Sequence, residues 1–180
     1  MLGRKVAAAF GMLAISATLV ACGGSSGTSP AAYVKSICQA VGPFEKDVQS
    51  RSSALDLSKI TGAADGKKAL QGFLSAIASD TDAAVSKLKA AGSPNVSNGK
   101  KISAAIVGAF TQLKSALSQA ATQAGSLPIT SPTAFKTAAQ ALGTSVQSSM
   151  STIGSSLGGL KSAELEKAAK SESSCQNLGA

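Results

Sequence analysis

Histidine and tryptophan are absent from this 180-residue chain, and tyrosine occurs once. Without histidine the commonest proton carrier and metal ligand is missing, so hydrolytic or metal chemistry would have to rest on carboxylates, lysines and hydroxyls alone. With five phenylalanines as the only other aromatics, there is little for bases to stack on, and nucleic acid is not an expected partner. Large aromatics cannot fill the core either. It must be assembled from Ala, Leu, Ile and Val, which suits helix packing. Acidic side chains are scarce as well, nine against 17 basic ones, a formal charge of +8. The length fits a signal segment plus one domain.

What is present begins with an address. Arg4 and Lys5 form a short positive region, and Val6 to Val20 is an almost unbroken apolar run, too short and wrongly flanked for a stable membrane-spanning helix. It reads as a secretory signal. The run closes on Leu19-Val20-Ala21-Cys22, which closely resembles the lipobox of bacterial lipoproteins. The resemblance covers the first 22 residues. It implies that the Cys22 thiol receives a diacylglyceryl group and that lipoprotein-processing enzymes cut the signal before it, leaving an acylated first residue. Two or three acyl chains give the stable anchoring that one does not. The expected organisation is therefore a signal peptide over 1–21, a lipidated Cys22 and Gly/Ser tether over 22–30, and a helical domain over 31–180, on the outer face of the cell membrane. The tether "GGSSGTSP" has a typical span of about 15 to 17 Å and a limit of about 29 Å, so the domain would work close to the bilayer.

If Cys22 is lipidated, Cys38 and Cys175 remain, near the two ends of the mature chain. In an exported domain a leftover pair points to a disulfide. The alternative is two buried free thiols acting as small apolar groups.

From Ala31 onward apolar residues recur at three- and four-residue spacing, without strand alternation. Val34, Ile37, Cys38, Val41, Phe44, Val48 and Leu55 mark a first helix, bent at Gly42-Pro43 but continuous in phase. After the connection "LDLSKITGAAD", Leu70, Phe73, Leu74, Ile77, Ala84, Val85 and Leu88 mark a second, stopped at Gly92 and Pro94. A third runs from near Asn98 to Gly125. A fourth opens on Ser131 as N-cap with Pro132 in the first helical position and carries Phe135, Ala138, Leu142, Val146, Met150, Ile153 and Leu157. "AELEKAAKSESSC" forms a short fifth. The fold class expected is all-α: an up-down four-helix bundle with a short C-terminal fifth helix, after a cleaved signal segment. The mature pattern also loosely resembles small secreted lipoproteins of actinobacteria, through "YVKSIC" early in the first helix and a closing helix ending in "SSC". That likeness implies a habitat and no particular activity.

Motifs for chemistry fall short on inspection. "GAADGKK" (62–68) has the wrong glycine spacing for a phosphate loop, lacks the following Ser/Thr and follows no buried strand. Ser-x-x-Lys occurs at Ser86/Lys89 and Ser97/Lys100, in a chain with 29 serines and 15 lysines where chance supplies such pairs, and its companion motifs are missing. Glu45/Asp47 and Glu164/Glu166 are spaced by two, which points the members of each pair apart on a helix. Asp80-Thr81-Asp82 lacks the features of a calcium loop and reads as a solvated helix face. No cofactor, metal site or catalysis is expected.

Charge is distributed more tellingly than its sum. Removing Arg4 and Lys5 leaves 15 basic and nine acidic side chains, a net +6, and no acidic residue occurs between Asp82 and Glu164. In an up-down bundle Lys35, Lys87, Lys89, Lys100, Lys101 and Lys161 fall at the tether end. Lys100 and Lys101 sit at a helix start, where positive charge opposes the dipole, and a local rule broken in this way can mark function. One expectation is contact with anionic lipid headgroups or an anionic wall polymer; the other is that lysines only keep an acid-poor surface soluble. The function class that follows is a membrane-anchored, non-catalytic interaction module. The alternative is a carrier of a small apolar or lipid-like ligand, in a cavity that Ala105, Ala109, Ala138 and Ala139 would leave between helices.

Overall fold

A computed structural model describes residues 27–55, 62–157, 160–176 and 178. Cys22 and the signal segment lie outside the described residues. The described chain is all-helical: α1 (Pro30–Ala54), α2 (Ala63–Ala90), α3 (Gly99–Gly125), α4 (Pro132–Leu157), α5 (Ala163–Ser171), then a 3-10 turn over Ser173–Cys175. The helices pack into a bundle.

Local chemistry sets most of the ends. The Ser29 hydroxyl accepts from the Ala32 N–H and Pro30 fills the first position of α1, where its missing N–H is no loss. That helix runs on through Pro43 to Ala54 without ending. Helix α2 starts earlier than its apolar stripe suggests, at Ala63 after Gly62, because Asp65 in the first turn complements the dipole and Ala63 and Gly66 are buried. At its far end Gly92 takes a left-handed φ of 72°, the conformation glycine adopts without penalty. Gly99, the first residue of α3, is needed for a different reason: a Cβ there would overlap the Pro94 carbonyl oxygen. Ser131 caps α4 by accepting from the Ala134 N–H at 3.1 Å, and Ser162 caps α5 through the Leu165 N–H.

Helix α2 packs broadly on α1 and on α3, α3 carries α4 on another side, and α5 lies on α1. Leu74, Ile77, Ala78, Leu117, Ala120, Ala121, Ala124, Leu127 and Leu142 form the main core, with Phe44, Val48, Phe73 and Phe135 packed against it. The Phe44 and Phe110 rings meet edge to face at 5.8 Å. Alanines let α2 and α3 approach closely, so these two helices are the centre of the molecule. Full burial of each leucine in this core stabilises it by about 1.5 to 3 kcal/mol. A smaller cluster of Val34, Cys38 and Ala168, flanked by Leu165, Ala169, Cys175 and Leu178, joins α5 to α1. There the Cys38–Cys175 disulfide closes a loop of sequence separation 137, with the Cα atoms 5.2 Å apart. The pairing is the bridge rather than two free thiols.

Helix α4 departs from its sequence reading. Its stripe is expected to face a core throughout, yet only Leu142 is buried, Phe135, Ala138 and Val146 are partly so, and Met150 is 52% exposed. The physical reason is its placement. It packs on α3 and lightly on α2, and it shares no broad face with α1.

Candidate functional site: the docked tether and the basic end

Thr28, expected in the free tether, is held against the turn between α2 and α3. Its N–H donates to the Ser93 carbonyl at 2.8 Å, its carbonyl accepts from the Asn95 N–H at 2.7 Å, and its hydroxyl donates to the Ala91 carbonyl at 3.2 Å. The first two bonds amount to a one-residue strand bridge between Thr28 and Pro94. Five residues later Tyr33 is buried at 2% exposure beside Ser103 of α3, whose hydroxyl donates to the Gly92 carbonyl at 2.6 Å. Burial pushes the Tyr33 phenol above its ordinary pKa, and Ser103 beside it offsets part of that. The start of the domain is thus tied to the same turn from two directions.

That turn carries charge. Lys87 and Lys89 lie in the last turn of α2, where cations suit the dipole, and Lys100 and Lys101 lie in the first turn of α3, where they oppose it. All are exposed, and no acidic residue stands in the first turn of α3. The α2–α3 turn therefore gathers these lysines at one end of the hairpin. Lys35 is exposed on α1, but it lies close enough to Glu172 to help lower that carboxyl's pKa. The larger cause there is the pair of bonds Glu172 accepts from Ser174, which cap the 3-10 turn. Lys35 is thus partly balanced within the fold. Lys161 is exposed in the link before α5.

The carboxylates are placed differently from the sequence reading. Asp80-Thr81-Asp82 is not simply a solvated face. Thr81 is fully buried, its hydroxyl satisfied by the Ile77 carbonyl at 2.7 Å. Asp80 reaches α1 and pairs with Arg51 at 2.9 Å, and Asp82 reaches α3 and pairs with Lys114 at 2.6 Å. Spacing by two sends the carboxylates to opposite sides of α2, so the triplet clasps both neighbours. Ser86 of the Ser-x-x-Lys pattern donates its hydroxyl to the Asp82 carbonyl of its own helix. Among the described residues no group of His, Cys, Asp and Glu gathers as a metal site would require, and no helix is long and apolar enough to cross a membrane.

Concavities lie elsewhere than the alanines suggested. Ala109 is buried and Ala138 and Ala139 pack against the main core. An apolar groove of about 480 Å³ opens instead among Leu55, Gly66, Leu70, Phe135, Lys136, Ala139 and Gln140. Of the four alanines, only Ala139 lines it. The Thr28 clamp, the burial of Tyr33 and this groove had no local sequence signal.

No protein-family model, curated protein or solved structure matches this chain significantly.

Proposed function

We propose that the protein is a lipid-anchored, extracytoplasmic helical module without catalysis, held through acylated Cys22 with its basic end turned to anionic lipid headgroups. The observation that carries this reading is the Thr28 clamp. It supports an anchor far shorter than the Gly/Ser composition suggests: five residue steps separate Cys22 from Gly27, a reach of about 18 Å at most. An acylated Cys22 would hold Gly27 and the turn clamped by Thr28 close to the bilayer, bringing the flanking Lys87, Lys89, Lys100 and Lys101 toward it, and each lysine at an anionic surface adds on the order of 1 kcal/mol. We read the long helices as running up and down in sequence. Contacts between α1 and α2 through Arg51–Asp80, and between α2 and α3 through both Ser103–Gly92 and Lys114–Asp82, support that course. It would bring Lys35 and Lys161 to the same end.

The test uses the chain from Cys22 onward carrying Cys22→Ser, so that no acyl chain contributes. Sedimentation with vesicles should show binding to anionic and not to neutral vesicles at low salt, weakening as salt rises. Gln at positions 87, 89, 100 and 101 together should abolish it. Equal binding to both vesicle types would overturn the basic-end reading. A native protein whose N-terminal peptide carries no acyl mass would overturn the anchor.

A further inference from the structure

The groove at the opposite end of the bundle has a shape and a charge that call for a particular ligand. Helix α1 is 25 residues long, so its C-terminal cap at Leu55 lies about 37 Å along the axis from the Thr28 clamp. The groove forms there because α4 packs on α3 and only lightly on α2, leaving a seam between α1 and α4. Leu55 from the end of α1, Gly66 and Leu70 from α2, and Phe135 and Ala139 from α4 give it an apolar lining. Its volume of about 480 Å³ falls in the range of small-molecule sites.

Helix α4 presents neighbouring rows here. Phe135 and Ala139, four apart, face the apolar lining, while Lys136 and Gln140, also four apart, stand beside them at the rim. Lys136 forms no ion pair with any described residue. Its neighbours in α3 and α4 bring no carboxylate, since none occurs between Asp82 and Glu164. An apolar trough ending at a cation and an amide donor matches a tail joined to an anion.

We propose that this groove binds a monomeric single-chain amphiphile with an anionic head. The tail lies on Leu55, Leu70, Phe135 and Ala139, and the head is met by the Lys136 ammonium and the Gln140 amide. Burial of the tail supplies most of the affinity, and the cation selects the head. The site faces away from the Thr28 end and does not rest on the membrane-anchor reading, which concerns other residues.

The experiment is calorimetric titration of the Cys22→Ser chain from Cys22 onward with myristate, kept below its micelle threshold, and with the cationic tetradecyltrimethylammonium ion as head-group control. Saturable binding of one myristate per chain is expected, tighter than that of the cation. Lys136→Gln, an exposed change, should weaken myristate by roughly threefold to tenfold and leave the cation unchanged or improved. Ala139→Trp, which fills the trough, should abolish both, with circular dichroism confirming that the bundle is intact. Equal affinity for the two heads would overturn the role of Lys136. No saturable binding, as when another part of the chain fills the seam, or binding that survives Ala139→Trp would overturn the site.

Discussion

Tyr33 is the chain's single tyrosine, so one ultraviolet titration reads it without interference. Its pKa is raised above 10.0, chiefly by burial, with the neighbouring Ser103 working against the rise. A phenol whose folded pKa exceeds its unfolded one keeps its proton in the folded state over a window where the unfolded state has released it. Its contribution to stability is therefore complete below about pH 10 and lost as pH climbs through the folded value. The phenolate absorbance of the folded protein should titrate at higher pH than that of the protein in denaturant. Tyr33→Phe should remove a share of the alkaline destabilisation, read from urea unfolding at neutral and alkaline pH. Coincident titration curves in the folded and denatured protein would show that the phenol is not enclosed as described.

At the scale of elements, the Asp80-Thr81-Asp82 triplet shows how one helix turn serves three directions. Both ion pairs are at least partly exposed, with side-chain exposures of 44% and 21% for Arg51 and Asp80, and 41% and 55% for Lys114 and Asp82. Each should therefore contribute only about 0.2 to 1 kcal/mol. Asp80→Asn should cost more than Asp82→Asn because its carboxylate is the better shielded. The costs should add in the double variant, since the pairs point to different helices, and both should shrink in high salt. Urea unfolding of the single and double variants measures this, and strong coupling between the sites would contradict the splayed geometry. The triplet also shows what sequence reasoning can reach. Periodicity and cap chemistry located Gly92, Ser131 and Pro132 because those signals are local, requiring only the residue and its neighbours. Thr81 looked solvated because its type is polar, but a hydroxyl returned to a carbonyl four residues back is satisfied in a core. The half-bare face of α4 was illegible for another reason: an apolar stripe says which side seeks burial, not whether a partner arrives. The same holds for the candidate sites. Lysines flanking one turn are neighbours by sequence alone, whereas the Thr28 clamp is built largely from backbone bonds that no side chain announces, and the groove is lined by residues of three separate helices.

For the molecule as a whole, the division into a main core and a small α1–α5 cluster determines how it should come apart. The main core rests on α2, α3 and α4 with part of α1. Helix α5 has nine residues and a single buried side chain, Ala168, too little apolar area to hold so short a helix against its entropy of release. The Cys38–Cys175 bond supplies the constraint, restricting the unfolded chain by a loop whose closure corresponds to about 5 kcal/mol in the chain-entropy model. Replacing both cysteines by serine should therefore act in two ways. Global stability should fall by about 2 to 5 kcal/mol, read from urea unfolding. Amide hydrogen exchange should also speed up in the native state for α5 and the 3-10 turn, which open by themselves once the bond is gone, while the buried stretch of α2 around Leu88 and of α3 around Ala124 stays protected relative to α5. Uniform loss of protection across all helices would mean that the clusters form one cooperative unit, and the disulfide would then be a staple of the whole bundle, not the fastening of its last helix.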